Sequence, residues 1–256
     1  MSRFRYTSIA FVLLLIAFDI AYFGGVVEWW WAIVLLVIYL HLLVLGAIYI
    51  RWNFYLHSFN SGKNEKYIAL TFDDGPADQT DAILDILKEL DVKAAFFSIG
   101  KNAEKFPEMV KRWDEEGHLV GNHSYAHGFN FDWQSSSKMV MEIDRTNQAI
   151  QAVINKKPLL FRPPYGVTNP NLASAIMRTG MHSVGWSLRS FDTSAKDADQ
   201  LLNSVLSKLK GGDIILLHDS MAVTRTILTD LIVKAREKGF TFVRVDKLLE
   251  LDAYAP

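Results

Sequence analysis

The 256-residue sequence contains no cysteine, so it can form no disulfide and offer no thiolate ligand. Any metal would therefore have to be held by nitrogen and oxygen donors. The formal net charge is −1 at pH 7, which gives no support for binding to nucleic acid. Internal repeats and low-complexity tracts are also missing. These absences exclude several classes of protein but select no cellular compartment.

Two adjacent aspartates, Asp73 and Asp74, are the most informative residues that are present. They end the apolar run 67–72 and are followed by Gly75-Pro76. The run predicts a buried strand, and Gly-Pro predicts a turn. Neighbouring carboxylates repel each other unless a cation lies between them or one is protonated. A metal or a reaction would explain the pair, although Asp-Asp-Gly-Pro is also ordinary turn chemistry.

Two histidines four residues apart, His123 and His127, follow the strand-like run 118–121. In a helical turn their side chains would project to the same side. Neutral imidazoles at this spacing, with a carboxylate from elsewhere in the chain, are typical of the open three-ligand site of a catalytic metal. The spacing alone is weak evidence, because surface histidines often show it.

Three further strand-like runs lead into charged or titratable side chains, namely Arg162, Asp192 and His218. Helical periodicity between the runs predicts about seven parallel βα units, whose carboxyl ends meet at one face. Five such groups in order favour an active site. The alternatives are a surface position for Arg162 beside two prolines and a capping pair formed by His218 and Asp219. The predicted helices lie at 79–90, 135–154, 171–178, 198–209 and 224–238.

The N-terminal part of the sequence contains two apolar segments, at 8–27 and 29–50. The second meets the requirement of about 20 residues for crossing a bilayer, whereas the first contains Asp19, whose charge is costly in a membrane. We predict a hairpin of two transmembrane helices over 1–50, a linker over 51–65 and a catalytic domain over 66–256. A cleaved signal peptide is the alternative for the first segment.

Four motifs resemble those of the polysaccharide deacetylases, also called the NodB-homology family or carbohydrate esterase family 4. They are Thr71-Phe-Asp-Asp-Gly75, His123-Ser-Tyr-Ala-His127, Arg162-Pro-Pro-Tyr165 and Ile215-Leu-Leu-His218. The resemblance covers about residues 66–248. It implies an α/β fold, the distorted (β/α)7 barrel of this family, here preceded by the two N-terminal transmembrane helices.

One region departs from the family pattern. Asp192 is followed by Thr193 where the family usually has tryptophan, and Arg189 stands where a carboxylate is common. Because this region helps to shape the sugar groove of the family, the departure bears on the identity of the substrate more than on the reaction.

The resemblance also implies roles for individual residues. Asp74, His123 and His127 would bind a divalent metal, with Zn²⁺ the expected ion and Co²⁺ or another transition ion the alternative. Asp73 would be the general base and His218 the general acid. This set of residues would make the chain a metal-dependent hydrolase.

The remaining implied roles support that chemistry. Arg162 would pair with Asp73, and Asp192 would raise the pKa of His218. The backbone N–H of Tyr165 would hold the oxyanion, and Leu216 would line the pocket for the acetyl methyl group.

By resemblance, the reaction would remove N-acetyl groups from amino sugars of a polysaccharide or a lipid-linked saccharide and release acetate. An O-acetyl esterase acting on acetylated polysaccharide is one alternative. A catalytically silent glycan-binding membrane protein is the other, and the complete set of metal and base residues argues against it. The expected partners are an N-acetylated glycan and the lipid bilayer, without nucleic acid; the sequence predicts no oligomeric state.

The distribution of positive charge predicts the side of the membrane. Arg3 and Arg5 precede the hairpin, and Arg51 and two later lysines follow it. The positive-inside rule then places both ends, and the catalytic domain, in the cytoplasm. The family habit implies the opposite side, because most of these deacetylases act on walls or exopolysaccharides outside the cytoplasmic membrane.

Overall fold

The computed structural model describes residues 2–256 and begins with two apolar helices, α1 (Arg3–Phe23) and α2 (Trp30–Ile48). Both are long and apolar enough to cross a membrane, and Gly46 is the one residue of the two helices that is buried. They contact each other through the rings of Phe11 and Tyr39, whose centroids lie 4.1 Å apart. An apolar surface of this size in water is unfavourable, so the helices are candidate membrane spans.

The rest of the chain is built around one curled sheet of nine strands within the described residues. In chain order the strands are β1 (Ser58–Phe59), β2 (Tyr67–Asp73), β3 (Ala95–Ser98), β4 (Leu119–Asn122), β5 (Leu160–Phe161), β6 (His182–Val184), β7 (Leu188–Arg189), β8 (Ile214–His218) and β9 (Thr241–Phe242). Their spatial order is β1-β6-β5-β4-β3-β2-β8-β7, and β9 pairs with the first residues of β2. Each pairing between these strands is parallel.

Helices connect most of the consecutive strands, as parallel pairing requires, and a last helix follows β9. They are α3 (Thr80–Glu89), α4 (Gly100–Lys105), α5 (Pro107–Glu115), α6 (Ser136–Ile154), α7 (Pro170–Thr179), α8 (Ala198–Lys208), α9 (Ala222–Glu237) and α10 (Val245–Leu249). The five helices predicted from periodicity correspond to α3 and to α6 through α9. The predicted NodB-like α/β fold is therefore confirmed, while α4 and α5 lie outside the predicted helices.

The core lies on both faces of the sheet, which explains why strands such as β2 are almost uniformly apolar. Six of the seven residues of β2 are buried. On one face, Phe72, Phe96 and Trp113 stack in series with centroid distances of 5.0 and 4.6 Å. The register aligns the strand ends, since Asp73 lies opposite both Phe97 and His218. The polar residues that follow these strands are thereby brought to one edge.

The segment 51–65, predicted to be a linker, contributes to the sheet. Within it, β1 pairs with β6, and the hydroxyl oxygens of Ser58 and Ser183 lie 2.8 Å apart. Phe54 is buried against Gly46 of α2, where a Cβ atom would collide with its ring. The Thr168 N–H also donates to the Ala47 carbonyl at 2.9 Å. The end of α2 is thus packed onto the catalytic fold, and the domain limits remain a prediction.

Candidate active site

The centre of the site is formed by Asp74, His123 and His127, whose ligand atoms all lie within 4.8 Å of one another. The Nε2 atoms of both histidines are 3.5 Å from Asp74 Oδ1. That oxygen is buried and has no hydrogen-bond partner among the described residues. A buried, unpartnered carboxylate oxygen is costly unless a cation satisfies it. The donor atoms of a tetrahedral zinc site lie roughly 3.3 Å apart, so this group fits a divalent metal.

The two histidines come together through a loop and not through a helical turn. β4 ends at Asn122, and the following residues are not helical. Ser124 and His127 have positive φ angles of 63° and 48°, which reverse the chain and return His127 toward His123. A spacing of four residues therefore brings two side chains together in a tight loop as well as in a helical turn.

The surroundings of the two histidines suit metal binding. His123 Nδ1 lies 2.7 Å from the Arg162 carbonyl oxygen, to which it donates, and this leaves Nε2 facing Asp74 as an acceptor. Burial lowers the pKa of His127, and the neighbouring His123 lowers it further. The imidazole of His127 is therefore disposed to act as a neutral ligand.

Asp73 is held on one side of this group by Arg162, whose side chain is fully buried. Arg162 Nη1 donates to Asp73 Oδ1 at 2.8 Å and to the Thr71 hydroxyl at 2.7 Å. Its other donors bond to the carbonyls of Val184 and Gly185. Four of the five guanidinium N–H groups are thereby bonded within the protein, and the side chain orients Asp73.

His218 lies on the opposite side, against the buried Asp192. His218 Nδ1 is 2.8 Å from Asp192 Oδ1, and the other carboxylate oxygen accepts from the His218 N–H and from the Thr224 hydroxyl. Burial by itself lowers the pKa of His218, but the hydrogen bond and charge of Asp192 outweigh burial and raise it. His218 Nε2 is 3.9 Å from Asp74 Oδ2 and therefore faces the triad formed by Asp74, His123 and His127.

The residue after His218 has a different partner, which disfavours the capping-pair alternative. Asp219 is buried against Gly75, where there is no room for a Cβ atom, and it accepts a hydrogen bond from the Thr80 hydroxyl at 2.5 Å. Burial raises the pKa of Asp219 to about 7. Asp219 therefore packs against Gly75 and stabilises the turn that follows Asp74.

A pocket of about 200 Å³ opens over these groups. Seven of the nine predicted site residues line it: Asp73, Asp74, His123, His127, Tyr165, Leu216 and His218. The other two, Arg162 and Asp192, lie directly behind residues of the wall. Trp186 and Arg189 also line the pocket, and neither is among the nine predicted site residues. Trp186 follows β6 directly, at the edge of the sheet where the other site residues lie, and this position in the sequence could have placed it in the pocket.

Backbone strain is concentrated here. Asp74, Ser124, His127, Tyr165 and Phe191 are five of the nine non-glycine residues with positive φ in the described chain. Such conformations each cost energy and persist where the surrounding structure imposes them, often at functional sites. Tyr165 is exposed at the pocket rim, and its ring centroid lies 4.7 Å from that of His127.

Comparisons with known proteins point to one family. The sequence profile described as polysaccharide deacetylase matches residues 60–184. A peptidoglycan-N-acetylglucosamine deacetylase of Bacillus cereus is 34% identical over 201 residues, which are 77% of this chain and 73% of that protein. The crystal structure of the Bc1960 peptidoglycan N-acetylglucosamine deacetylase superimposes with a TM-score of 0.74 at 33% identity, covering 77% of this chain and 94% of that one.

A third relative is longer than this chain. The peptidoglycan-N-acetylglucosamine deacetylase PgdA of Listeria monocytogenes is 37% identical over 187 residues, which are 73% of this chain but 39% of that protein. The profile match includes Asp73, Asp74, His123 and His127. The chain belongs to the polysaccharide deacetylase family.

Proposed function

We propose that this chain is a metal-dependent deacetylase that removes N-acetyl groups from amino sugars of a glycan and releases acetate. The observation that carries the proposal is the Asp74–His123–His127 triad, flanked by Asp73 and by His218. Asp74, His123 and His127 would hold the metal. When bound, a divalent ion supplies a Lewis acid that polarises a carbonyl and acidifies water.

Asp73 is the proposed general base. Arg162 bonds its Oδ1, and Oδ2 lies 3.7 Å from His123 Nε2, beside the triad. This oxygen accepts a proton from the attacking water as the new C–O bond forms. The buried guanidinium holds the carboxylate in place during that transfer.

His218 is the proposed general acid. Asp192 fixes its Nδ1, so that the proton available for transfer is on Nε2 at the pocket. Transfer of this proton to the amide nitrogen lets the C–N bond break and a free amine depart. An amide needs this step more than an ester does, because an amine is the poorer leaving group; His218 therefore favours N-deacetylation over O-deacetylation.

The remaining pocket residues fit an acetamido group. The Tyr165 backbone N–H is proposed to stabilise the oxyanion, aided by the left-handed conformation of that residue. Leu216 is buried at the pocket wall and is proposed to contact the acetyl methyl. The substrate is proposed to be an N-acetylated glycan such as peptidoglycan, or a lipid-linked saccharide.

The metal assignment is tested by replacing the ligands. His123→Ala and His127→Ala should each abolish stoichiometric zinc in the purified full chain, as measured by elemental analysis. His57→Ala, which changes an exposed histidine outside the pocket, is the matched control. Full metal content in both ligand variants would refute the assignment.

The reaction is tested by measuring acetate release from chitooligosaccharides and from acetylated xylan. We expect acetate from the amide substrate, and much less from the ester substrate. Release from xylan alone would identify an O-acetyl esterase, and release from neither would support a silent protein.

We further propose that α1 and α2 anchor the enzyme in the cytoplasmic membrane, with the catalytic domain on the cytoplasmic side. The charge distribution supports this orientation: Arg3 and Arg51 flank the hairpin, and Arg3 donates to the Trp52 carbonyl at 2.8 Å. A reporter fused after Pro256 should be active in the cytoplasm, and replacing Arg3, Arg5 and Arg51 should scramble that orientation. Reporter activity outside the cytoplasm from the unaltered fusion would reverse the proposed orientation. It would favour wall or exported polysaccharide as the substrate.

A further inference from the structure

A second cavity adjoins the catalytic pocket on the side of α2. This junction groove has a volume of about 570 Å³ and is lined by residues 48–52, Trp186, Ser187, Arg189 and Phe191. Trp186 and Arg189 belong to the walls of both cavities. One elongated molecule could therefore occupy the groove and the catalytic pocket together.

Two arginines give the groove its charge. Arg51 Nη1 donates to the Ser187 carbonyl at 3.3 Å. The Arg189 guanidinium lies 5.8 and 5.1 Å from the ring centroids of Trp186 and Phe191. Across residues 2–256, neither arginine forms a salt bridge, and the groove wall includes no acidic residue. The groove thus presents two positive charges that an anionic ligand would complement.

Aromatic side chains form the rest of the surface. Tyr49 and Trp52 stack with a centroid distance of 5.4 Å, and both are at least one-third exposed. Phe191 is 55% exposed and has a φ of 63°, a conformation that costs an aromatic residue energy. Apolar rings held open beside unneutralised guanidinium groups suit a ligand that is both anionic and partly apolar.

The position of the groove identifies the source of that anion. Its first residues end α2, the second candidate membrane span, and Arg3 at the start of α1 bonds to Trp52. The groove therefore lies where the apolar surface of the hairpin stops. In a bilayer this is the level of the headgroups, where lipid phosphates lie.

We propose that the junction groove binds the phosphate of a lipid-linked saccharide while the amino sugar reaches the catalytic pocket. This inference rests on the proposed deacetylase function and specifies the form of its substrate. Arg51 and Arg189 bind the phosphate oxygens through charge-assisted hydrogen bonds, and the aromatic residues contact the adjoining lipid and sugar. The arginine at position 189 thus acquires a role that a carboxylate there could not perform.

The test is a binding measurement that does not depend on turnover. The full chain in nonionic detergent is titrated with farnesyl phosphate, farnesol or inorganic phosphate, and binding is followed by calorimetry. Farnesyl phosphate should bind most tightly. Arg51→Gln and Arg189→Gln should each raise its Kd about ten-fold, equivalent to about 1.4 kcal/mol. Arg225→Gln, at an exposed arginine of α9 outside the groove, should leave the Kd unchanged.

Arg51→Lys and Arg189→Lys control for misfolding. They retain the positive charge and should recover part of the affinity for farnesyl phosphate. Equal affinity for farnesyl phosphate in the wild type and both glutamine variants would overturn the proposal. Equally tight binding of inorganic phosphate would assign a soluble phosphate in its place, and equally tight binding of farnesol would show an apolar groove only. Failure of the deacetylase proposal would instead appear as absent acetate release, whatever these affinities are.

Discussion

An ion pair lies on each side of the pocket, and the two pairs place their acidic and basic residues in reversed positions. On one side, Asp73 lines the pocket and Arg162 lies behind it, fully buried; on the other, His218 lines the pocket and Asp192 lies behind it with 1% exposure. In each pair the member behind the wall is bonded by several groups, and the other member faces Asp74, His123 and His127. A carboxylate thus faces the pocket in one pair and lies behind its wall in the other. The number of hydrogen bonds from surrounding groups, and not residue type, distinguishes the two members.

The largest effect is expected from Asp73→Asn, which removes the base while leaving the three ligands in place. The value of kcat/KM should fall by about 10²–10⁴-fold, since this is the usual contribution of a general base. Metal content, measured on the same sample, should remain stoichiometric. Activity at the wild-type level would show that another group accepts the proton.

His218→Ala should cause a comparable loss on amide substrates, about 10²–10⁴-fold, with metal retained. An activated ester whose leaving group needs no proton should recover much of the activity in this variant but not in Asp73→Asn. The difference in ester activity between the two variants would distinguish the proposed acid from the proposed base. Equal losses on amide and ester would assign His218 a structural role.

Removing a supporting residue should affect stability. Arg162→Ala leaves the Asp73 carboxylate buried without its partner, so the free energy of unfolding should fall by about 3–5 kcal/mol. Adding Asp73→Asn to that variant should recover part of the loss, because the buried charge is then gone. Denaturant titration of the single and double variants in detergent measures this. No recovery in the double variant would mean that packing, and not charge, accounts for the loss.

The smallest effect is expected from Asp192→Asn, which should shift a pH profile. Asp192 raises the pKa of His218 above its ordinary value, and the acid must be protonated to act. Without the carboxylate charge that pKa should fall, so the alkaline limb of kcat/KM should move to lower pH. Thr224→Val, which removes one hydrogen bond to Asp192, should shift the limb less. An unmoved limb would show that another group sets it.

The sequence predicted which residues would lie together because most of its signals are local. Asp73, Arg162 and His218 each end or follow a strand, and parallel strands bring such ends to one edge by their geometry alone. The long helices α6 and α9 were similarly predictable from their apolar periodicity. The loop that joins His123 to His127 was not, because a four-residue spacing does not specify the backbone angles between its ends.

The sequence by itself determined the apolar hairpin, the order of strands and helices and the chemical groups at the strand ends, since each depends on neighbouring residues. Only the tertiary structure decided which buried residue supports each working group, that Trp186 lines the pocket, and that 51–65 joins the sheet. It alone also formed the junction groove, where Arg51 meets Ser187 across 136 residues of chain. Contacts of that range depend on how the whole sheet curls and where α2 docks, and no local pattern encodes them.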